Sequence, residues 1–260
     1  MTPEPAATHR PAGSGVFARP VSTAGRVRRI FTTRRGGVSK APYDSFNLGG
    51  AVGDDPVVVE ANRARLAATA GLSVDRLVWM RQVHGVNVAT VADRSSEPNA
   101  IPDADGIVTA AAGLGLAVLV ADCVPILAAD PVAGVIAAVH AGRRGAAGGI
   151  AGVAIAKMIA LGASVGRIDV LLGPAICGQC YEVPGSMRAE VDAALPGSAS
   201  TTDRGTPGLD LRAGLARQFA ELKVADIVID KRCTYTDPDL YSHRRGAPTG
   251  RLAGLIWLES

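Results

Sequence analysis

The sequence predicts an α+β domain built on mixed β-sheets. Two observations carry this reading. From Val27 onward, short apolar runs of strand length are tightly interleaved with helix-length runs. Several strand-like runs also follow one another through non-helical connections, which a doubly wound sheet does not do. With 260 residues, 48% of them hydrophobic, the chain can bury a sizeable core.

Residues 1–25, rich in Pro, Ala, Thr and Gly, read as a disordered N-terminal arm. Residues 26–260 then form one domain without an internal boundary or repeat. Val27 to Thr33 is a strand, followed by the Gly36-Gly37 turn and a polar loop ending at Gly49-Gly50. Pro56 to Ala70 is a helix, because Asp54 or Asp55 can cap it, proline suits its first turn and Gly71 can end it. Leu77 to Val83 and Val86 to Val91 are strands around His84-Gly85, expected as a hairpin. Asp93 to Asp103 reads as a surface loop. Leu114 to Ala121, Pro125 to Ala129 and Gly134 to Val139 are apolar strands, the last ending at His140. Ala146 to Leu161 is a helix and Ile168 to Leu172 a buried strand. Helices over Met187 to Leu195 and Leu211 to Leu222 precede closing strands at Ile227 to Ile229 and Leu252 to Leu258.

The formal charge of +3 comes from scattered arginine pairs, and aromatic residues make up only 4%. That pattern suits a small anionic ligand; a nucleic-acid surface calls for a basic stripe with stacking aromatics. Four cysteines are too few for a disulfide scaffold. Met1 to Pro20 has no apolar signal-peptide core, and the apolar stretch Gly113 to Ala129 is broken by Asp122 and Pro125, which argues against a membrane span. A cytoplasmic protein with reduced thiols is the expectation.

Three reactive side chains stand beside predicted strand ends: His84, Cys123 and His140. One thiolate and two imidazoles make a normal zinc set, and three protein ligands leave a fourth position for water, the catalytic arrangement. Their spacing is not a compact metal motif, so by spacing alone each could equally be structural.

Seven segments sharpen this. Thr33-Arg34-Arg35-Gly36-Gly37-Val38-Ser39, Pro42 to Gly49, Gln82-Val83-His84-Gly85, Ala121-Asp122-Cys123-Val124-Pro125, His140-Ala141-Gly142-Arg143-Arg144-Gly145, Gly173-Pro174-Ala175-Ile176 and Thr249-Gly250-Arg251 occur in this order. The ordered set resembles the YfiH-type laccase-domain proteins, or polyphenol oxidase family, from about Ile30 to Leu258. The resemblance implies a compact fold of mixed sheets between helical layers (α/β/β/α). It also implies a zinc-dependent purine nucleoside phosphorylase with adenosine deaminase activity, and metal ligands at His84, Cys123 and His140. Substrates would be phosphate and purine nucleosides such as adenosine, inosine or methylthioadenosine. Two positions depart from the family pattern. Arg143 replaces the Trp of His-Ala-Gly-Trp-Arg-Gly, and His243 stands where Tyr is common, so it reads as a Tyr substitute and not a fourth ligand.

Around that centre, Asp122 is a candidate for proton transfer or ligand orientation, or a strand-end residue bonded to nearby backbone. Arg34 and Arg144 are candidates for phosphate or ribose contacts, or carboxylate partners at the surface. Asn47 could bind ribose hydroxyls or stabilise its own loop. Arg244 and Arg245 rank below these. Cys177-Gly178-Gln179-Cys180 is a CxxC pair to which Cys233 could add a thiolate; Cys233 otherwise reads as a packed core residue. Rival functions are a metal-independent cysteine hydrolase using Cys123 and a histidine, a copper-dependent phenol oxidase, and a non-enzymatic binding module. Copper is disfavoured because a multi-copper site needs many histidines and the chain has four, including His9.

Overall fold

The computed structural model describes residues 16–18, 26–92 and 100–259. Strand β1 (Val16–Ala18) pairs antiparallel with β2 (Val27–Thr32), so three residues of the segment read as an arm belong to a sheet. The rest of 1–25 lies outside the described residues. Helix α1 (Pro56–Thr69) starts where Asp55 accepts the Val57 N–H, with proline in the first turn.

Strands β3 (Leu77–Met80) and β4 (Val88–Thr90) do not form the expected hairpin. They sit in different sheets, and the His84-Gly85 corner carries the chain from one sheet to the other. Next come β5 (Ala100–Ile101), inside the stretch read as a loop, and β6 (Gly106–Thr109), which the sequence reading did not identify. Strands β7 (Gly115–Val120) and β8 (Val124–Asp130) again lie in different sheets, joined through Ala121 to Cys123. Strand β9 (Val135–Ala141) runs past His140, placing that residue inside the strand and not at its end.

The single helix expected over Ala146 to Leu161 is two, α2 (Arg143–Ala147) and α3 (Ile150–Ala160). Gly149 between them has φ +84°, a left-handed conformation that glycine adopts without cost. The chain continues through β10 (Asp169–Leu172), α4 (Gly185–Ala194), the ribbon β11 (Ala199–Thr201) with β12 (Pro207–Leu209), α5 (Leu211–Glu221), β13 (Asp226–Ile229) and β14 (Leu252–Leu258).

One sheet has the order β1-β2-β14-β7-β3-β5, the other β13-β10-β8-β9-β6-β4. Both are mixed: β3 runs parallel to β7 and β10 parallel to β13, while β14 and β9 pair antiparallel with their neighbours. Period-two alternation sorts the side chains into layers. Along β14, Leu252, Ile256 and Leu258 enter the core between the sheets, whereas Ala253, Leu255 and Trp257 pack with Leu66 and Ala67 of α1. Along β9, Ile136 and Ala138 face the inter-sheet core, and Val135, Ala137 and Val139 face the helical layer that holds α2 and α3. The result is the layered α/β/β/α arrangement: α1, sheet, sheet, then α2 to α5. A buried ion pair joins the sheets, Arg29 of β2 to Asp169 of β10. No helix among the described residues is long and apolar enough to cross a membrane; Gly113 to Ala129 is spent on β7 and β8.

Candidate metal centre

The two sheet-to-sheet crossings and β9 bring His84, Cys123 and His140 together. One ligand atom from each lies within 4.8 Å of the others. Cys123 Sγ is 3.9 Å from His84 Nε2, and the two imidazoles meet edge to face with centroids 4.7 Å apart. Zinc–ligand bonds of about 2.3 Å to sulfur and 2.0–2.1 Å to nitrogen place tetrahedral S and N ligands about 3.6 Å apart. The observed spacing therefore fits a zinc-sized cation after small side-chain adjustment.

Each ligand is held by local structure. His140 shares the inter-sheet face of β9 with Ala138 and Ile136, two and four residues back. Its Nδ1 lies 2.8 Å from Asp105 Oδ1, which leaves Nε2 for a metal. The Asp105 carboxylate also accepts the backbone N–H groups of Val83, His84 and Gly85 at 3.1, 2.9 and 2.7 Å. That grip holds His84 at φ 61°, a conformation that costs a non-glycine residue about 1–3 kcal/mol. Asp122, ahead of Cys123, has φ 91°. Gly142 caps α2 beside the cluster. A Cβ there would lie 2.8 Å from His84 Cδ2 and 3.2 Å from Cys123 Sγ, so only glycine leaves room for this packing.

The electrostatics are those of a preformed ligand set. Burial alone would raise the Cys123 thiol, but hydrogen bonds and charge from His140 and His84 bring its pKa down to about 6. Burial would lower His140, yet Asp105 and Cys123 hold it up at about 9. Burial likewise opposes ionisation of Asp105, but His140 and the Gly85 and Val83 N–H groups hold it below the ordinary carboxylate value.

The cluster opens into a cavity of about 490 Å³, a normal size for a small-molecule site. Met80, Leu119, Val120 and Ile176 give it an apolar wall; Arg143, Arg244 and Arg251 give it positive charge. Tyr181 lies among these groups, and the Arg244 guanidinium sits 5.3 Å from its ring centroid.

The other residues singled out in the sequence are placed as follows. Asp122 lines the cavity, but its Oδ1 accepts Thr234 Oγ1–H at 2.6 Å and its Oδ2 accepts the Arg244 N–H at 2.7 Å. Arg34 does not line the cavity; it pairs with Asp44 at 3.0 Å and stacks on Tyr241. Asn47 is fully buried, with its amide spent on Gly49, Asp54 and the Arg251 N–H, so it stabilises its own loop. Arg144 is exposed outside the cavity, and Arg143 faces in; neighbours on a helix project in different directions, and α2 turns the first arginine toward the cluster. Of the two lower-ranked arginines, Arg244 lines the cavity, while Arg245 donates to the carbonyls of Thr234, Tyr235, Asp237 and Leu240. His243 lines the cavity without joining the metal cluster. Asp105 escaped the sequence reading because its strand did. The available signal was an acidic residue heading the short apolar run Gly106–Thr109.

The fold and this site define a two-sheet sandwich with an open His-Cys-His centre at the mouth of a cationic cavity. The chain belongs to the family described as multi-copper polyphenol oxidoreductase laccase, which matches residues 28–259. A purine nucleoside phosphorylase of Mycobacterium tuberculosis strain H37Rv is 58% identical over 234 residues, covering 90% of this chain and 93% of its own. One from Corynebacterium glutamicum is 54% identical, with 89% and 94% covered. Among solved structures, YlmD from Geobacillus stearothermophilus superposes with a TM-score of 0.89 at 33% identity, covering 97% of this chain and 98% of that one. A YfiH protein from Bacillus licheniformis gives 0.82 at 28%, covering 90% and 93%.

Proposed function

We propose that this chain is a zinc-dependent purine nucleoside phosphorylase that also deaminates adenosine. The carrying observation is the pairing of an open His84–Cys123–His140 set with four arginines in the cavity lining, Arg81, Arg143, Arg244 and Arg251. The names of its relatives supply the substrate class, purine nucleoside and phosphate.

His84, Cys123 and His140 would hold the ion, with Asp105 orienting His140 and fixing the backbone of His84. When bound, zinc would supply a Lewis acid able to polarise a substrate atom or activate water. Arginines bind phosphate through their planar forks, and of the four in the cavity lining Arg81 pairs with Asp103 while Arg143, Arg244 and Arg251 are the candidates for that contact. In phosphorolysis a phosphate oxygen forms the bond to ribose C1′ as the bond to the base breaks, and the base leaves with the proton that the hydrogen phosphate gives up. The arginines orient the phosphate for that displacement, and the apolar wall of Met80, Leu119 and Ile176 receives the flat base. Asp122 acts by holding the Arg244 backbone in place, since both its oxygens are engaged within the chain.

Zinc is favoured over copper because the whole chain has four histidines, two of them in this cluster. Adenosine, inosine and methylthioadenosine are the substrates to try. With only four cysteines in the chain, a cytoplasmic setting is the one to expect.

The test is a product assay on zinc-loaded protein with adenosine and phosphate. Adenine with ribose 1-phosphate supports phosphorolysis; inosine supports deamination. If neither forms, the nucleoside reading fails. Activity that survives metal removal and disappears with iodoacetamide would point to a thiol hydrolase instead.

A further inference from the structure

A second sulfur cluster lies behind the cavity wall. One ligand atom each from Cys177, Cys180 and Cys233 lies within 4.8 Å of the others. Tetrahedral zinc with bonds of about 2.3 Å separates its sulfurs by about 3.8 Å, which small rotations of these side chains reach. All three thiols are free.

The scaffold around them is built. Thr234 N–H donates to the Ala175 carbonyl at 3.1 Å, and Ala175 bridges Cys233 in parallel register. These bonds lock the Cys233 segment beside the CxxC loop. That loop closes on itself, with the N–H groups of Cys180 and Tyr181 both donating to the Cys177 carbonyl. The Cys177 N–H donates to Cys233 Sγ at 3.3 Å, an arrangement that supports a thiolate. Burial would raise the Cys233 thiol, but the N–H groups of Cys177, Thr236 and Tyr235, with the Cys177 side chain, lower it. Cys180 shifts the other way. Burial, the Cys177 hydrogen bond and the Cys233 charge all raise it, because crowded sulfurs without a cation resist a second negative charge.

We propose that Cys177, Cys180 and Cys233 bind one Zn²⁺ as a second metal site, distinct from His84, Cys123 and His140. Three thiolates are a soft donor set suited to zinc. Binding exchanges up to three thiol protons, released to solvent, for three Zn–S bonds. Cys180 lines a cleft of about 290 Å³, so solvent would supply the fourth ligand.

Its role follows from its neighbours. Ile176, beside Cys177, donates its N–H to the Asp122 carbonyl; Tyr181, beside Cys180, lines the main cavity; Thr234, beside Cys233, holds Asp122. One ion would thus tie together three pieces of the cavity wall. The site stands on its own geometry and does not depend on the nucleoside reading.

The test uses the full chain, expressed with zinc under reducing conditions, and measures metal by mass spectrometry. Wild type is expected to carry about two equivalents, H84A/C123A about one, and C177S/C180S about one. Because C177S/C180S could fail to fold, H84A/C123A serves alone as well. In it, zinc should shield Cys177, Cys180 and Cys233 from alkylation, and a chelator should expose them. Cobalt substitution in that variant should produce a thiolate-to-cobalt charge-transfer band. The proposal is overturned if zinc-supplemented H84A/C123A carries no zinc, or if the three cysteines alkylate equally with and without zinc. A disulfide among them in anaerobically purified protein overturns it too.

Discussion

His140 and Asp105 form the hinge of the candidate centre: Nδ1 and Oδ1 lie 2.8 Å apart, both side chains are buried, and the same carboxylate grips the backbone of His84. One acid thereby orients two of the three ligands, although it belongs to neither of their chain segments.

Asp105→Asn should therefore weaken the metal without unfolding the protein. Loss of such an orienting partner typically costs about tenfold to a hundredfold in metal affinity or activity. Zinc affinity by chelator competition, with circular dichroism as the control, checks this. Unchanged affinity would remove Asp105 from the positioning role.

Gly142→Ala should have a more local effect. The new methyl would fall 2.8 Å from His84 Cδ2 and displace a side chain that is free to swing outward. Metal content should drop sharply, with a melting temperature close to wild type.

In metal-free protein the Cys123 thiol titrates at about 6. Its folded pKa lies below the ordinary thiol value of about 8.5, so the thiolate persists as pH falls until about 6 and is protonated below that. His140 works in the opposite sense: held up at about 9, it stays cationic until pH rises through that value. The thiolate–imidazolium pair thus occupies the window between about 6 and 9. The iodoacetamide rate at Cys123, mapped by peptide mass, should rise through a midpoint near 6. His140→Ala should shift the midpoint upward.

Arg143→Ala should raise the KM for phosphate more than it lowers kcat, since the guanidinium faces the cavity from the wall. Arg144→Ala, on the exposed side of the same helix, should leave phosphorolysis near wild type. Equal effects of the two substitutions would contradict this division of labour.

The inter-sheet ion pair is a stability feature. Arg29 is 1% exposed and reaches Asp169 in the other sheet. Arg29→Ala leaves that carboxylate buried without its partner and should cost about 3–5 kcal/mol by denaturant unfolding. Arg29→Met with Asp169→Leu should cost much less, because no charge is left behind.

Local pattern sufficed for what depends on near neighbours in sequence. Pro56 and Asp55 announce α1, continuous apolar runs announce β7, β8, β9 and β14, and an ordered set of short motifs announces the family. The same reading picked out His84, Cys123 and His140, through residue chemistry and resemblance.

Tertiary structure alone decided what depends on two sheets facing each other. The His84-Gly85 corner looks like a hairpin turn in sequence, since nothing local distinguishes a return to the same sheet from a crossing to the next. Which arginines enter the cavity, Arg143 and Arg244 or Arg34 and Arg144, is set by helix rotation and by distant carboxylates such as Asp44. Asp105 acquires its role from partners 20 and 35 residues away, and the meeting of Cys233 with Cys177 spans 56. The physical reason is common to all of these: side-chain chemistry is written residue by residue, but burial, pairing and charge are properties of a place, and the place exists only once the sheets have closed.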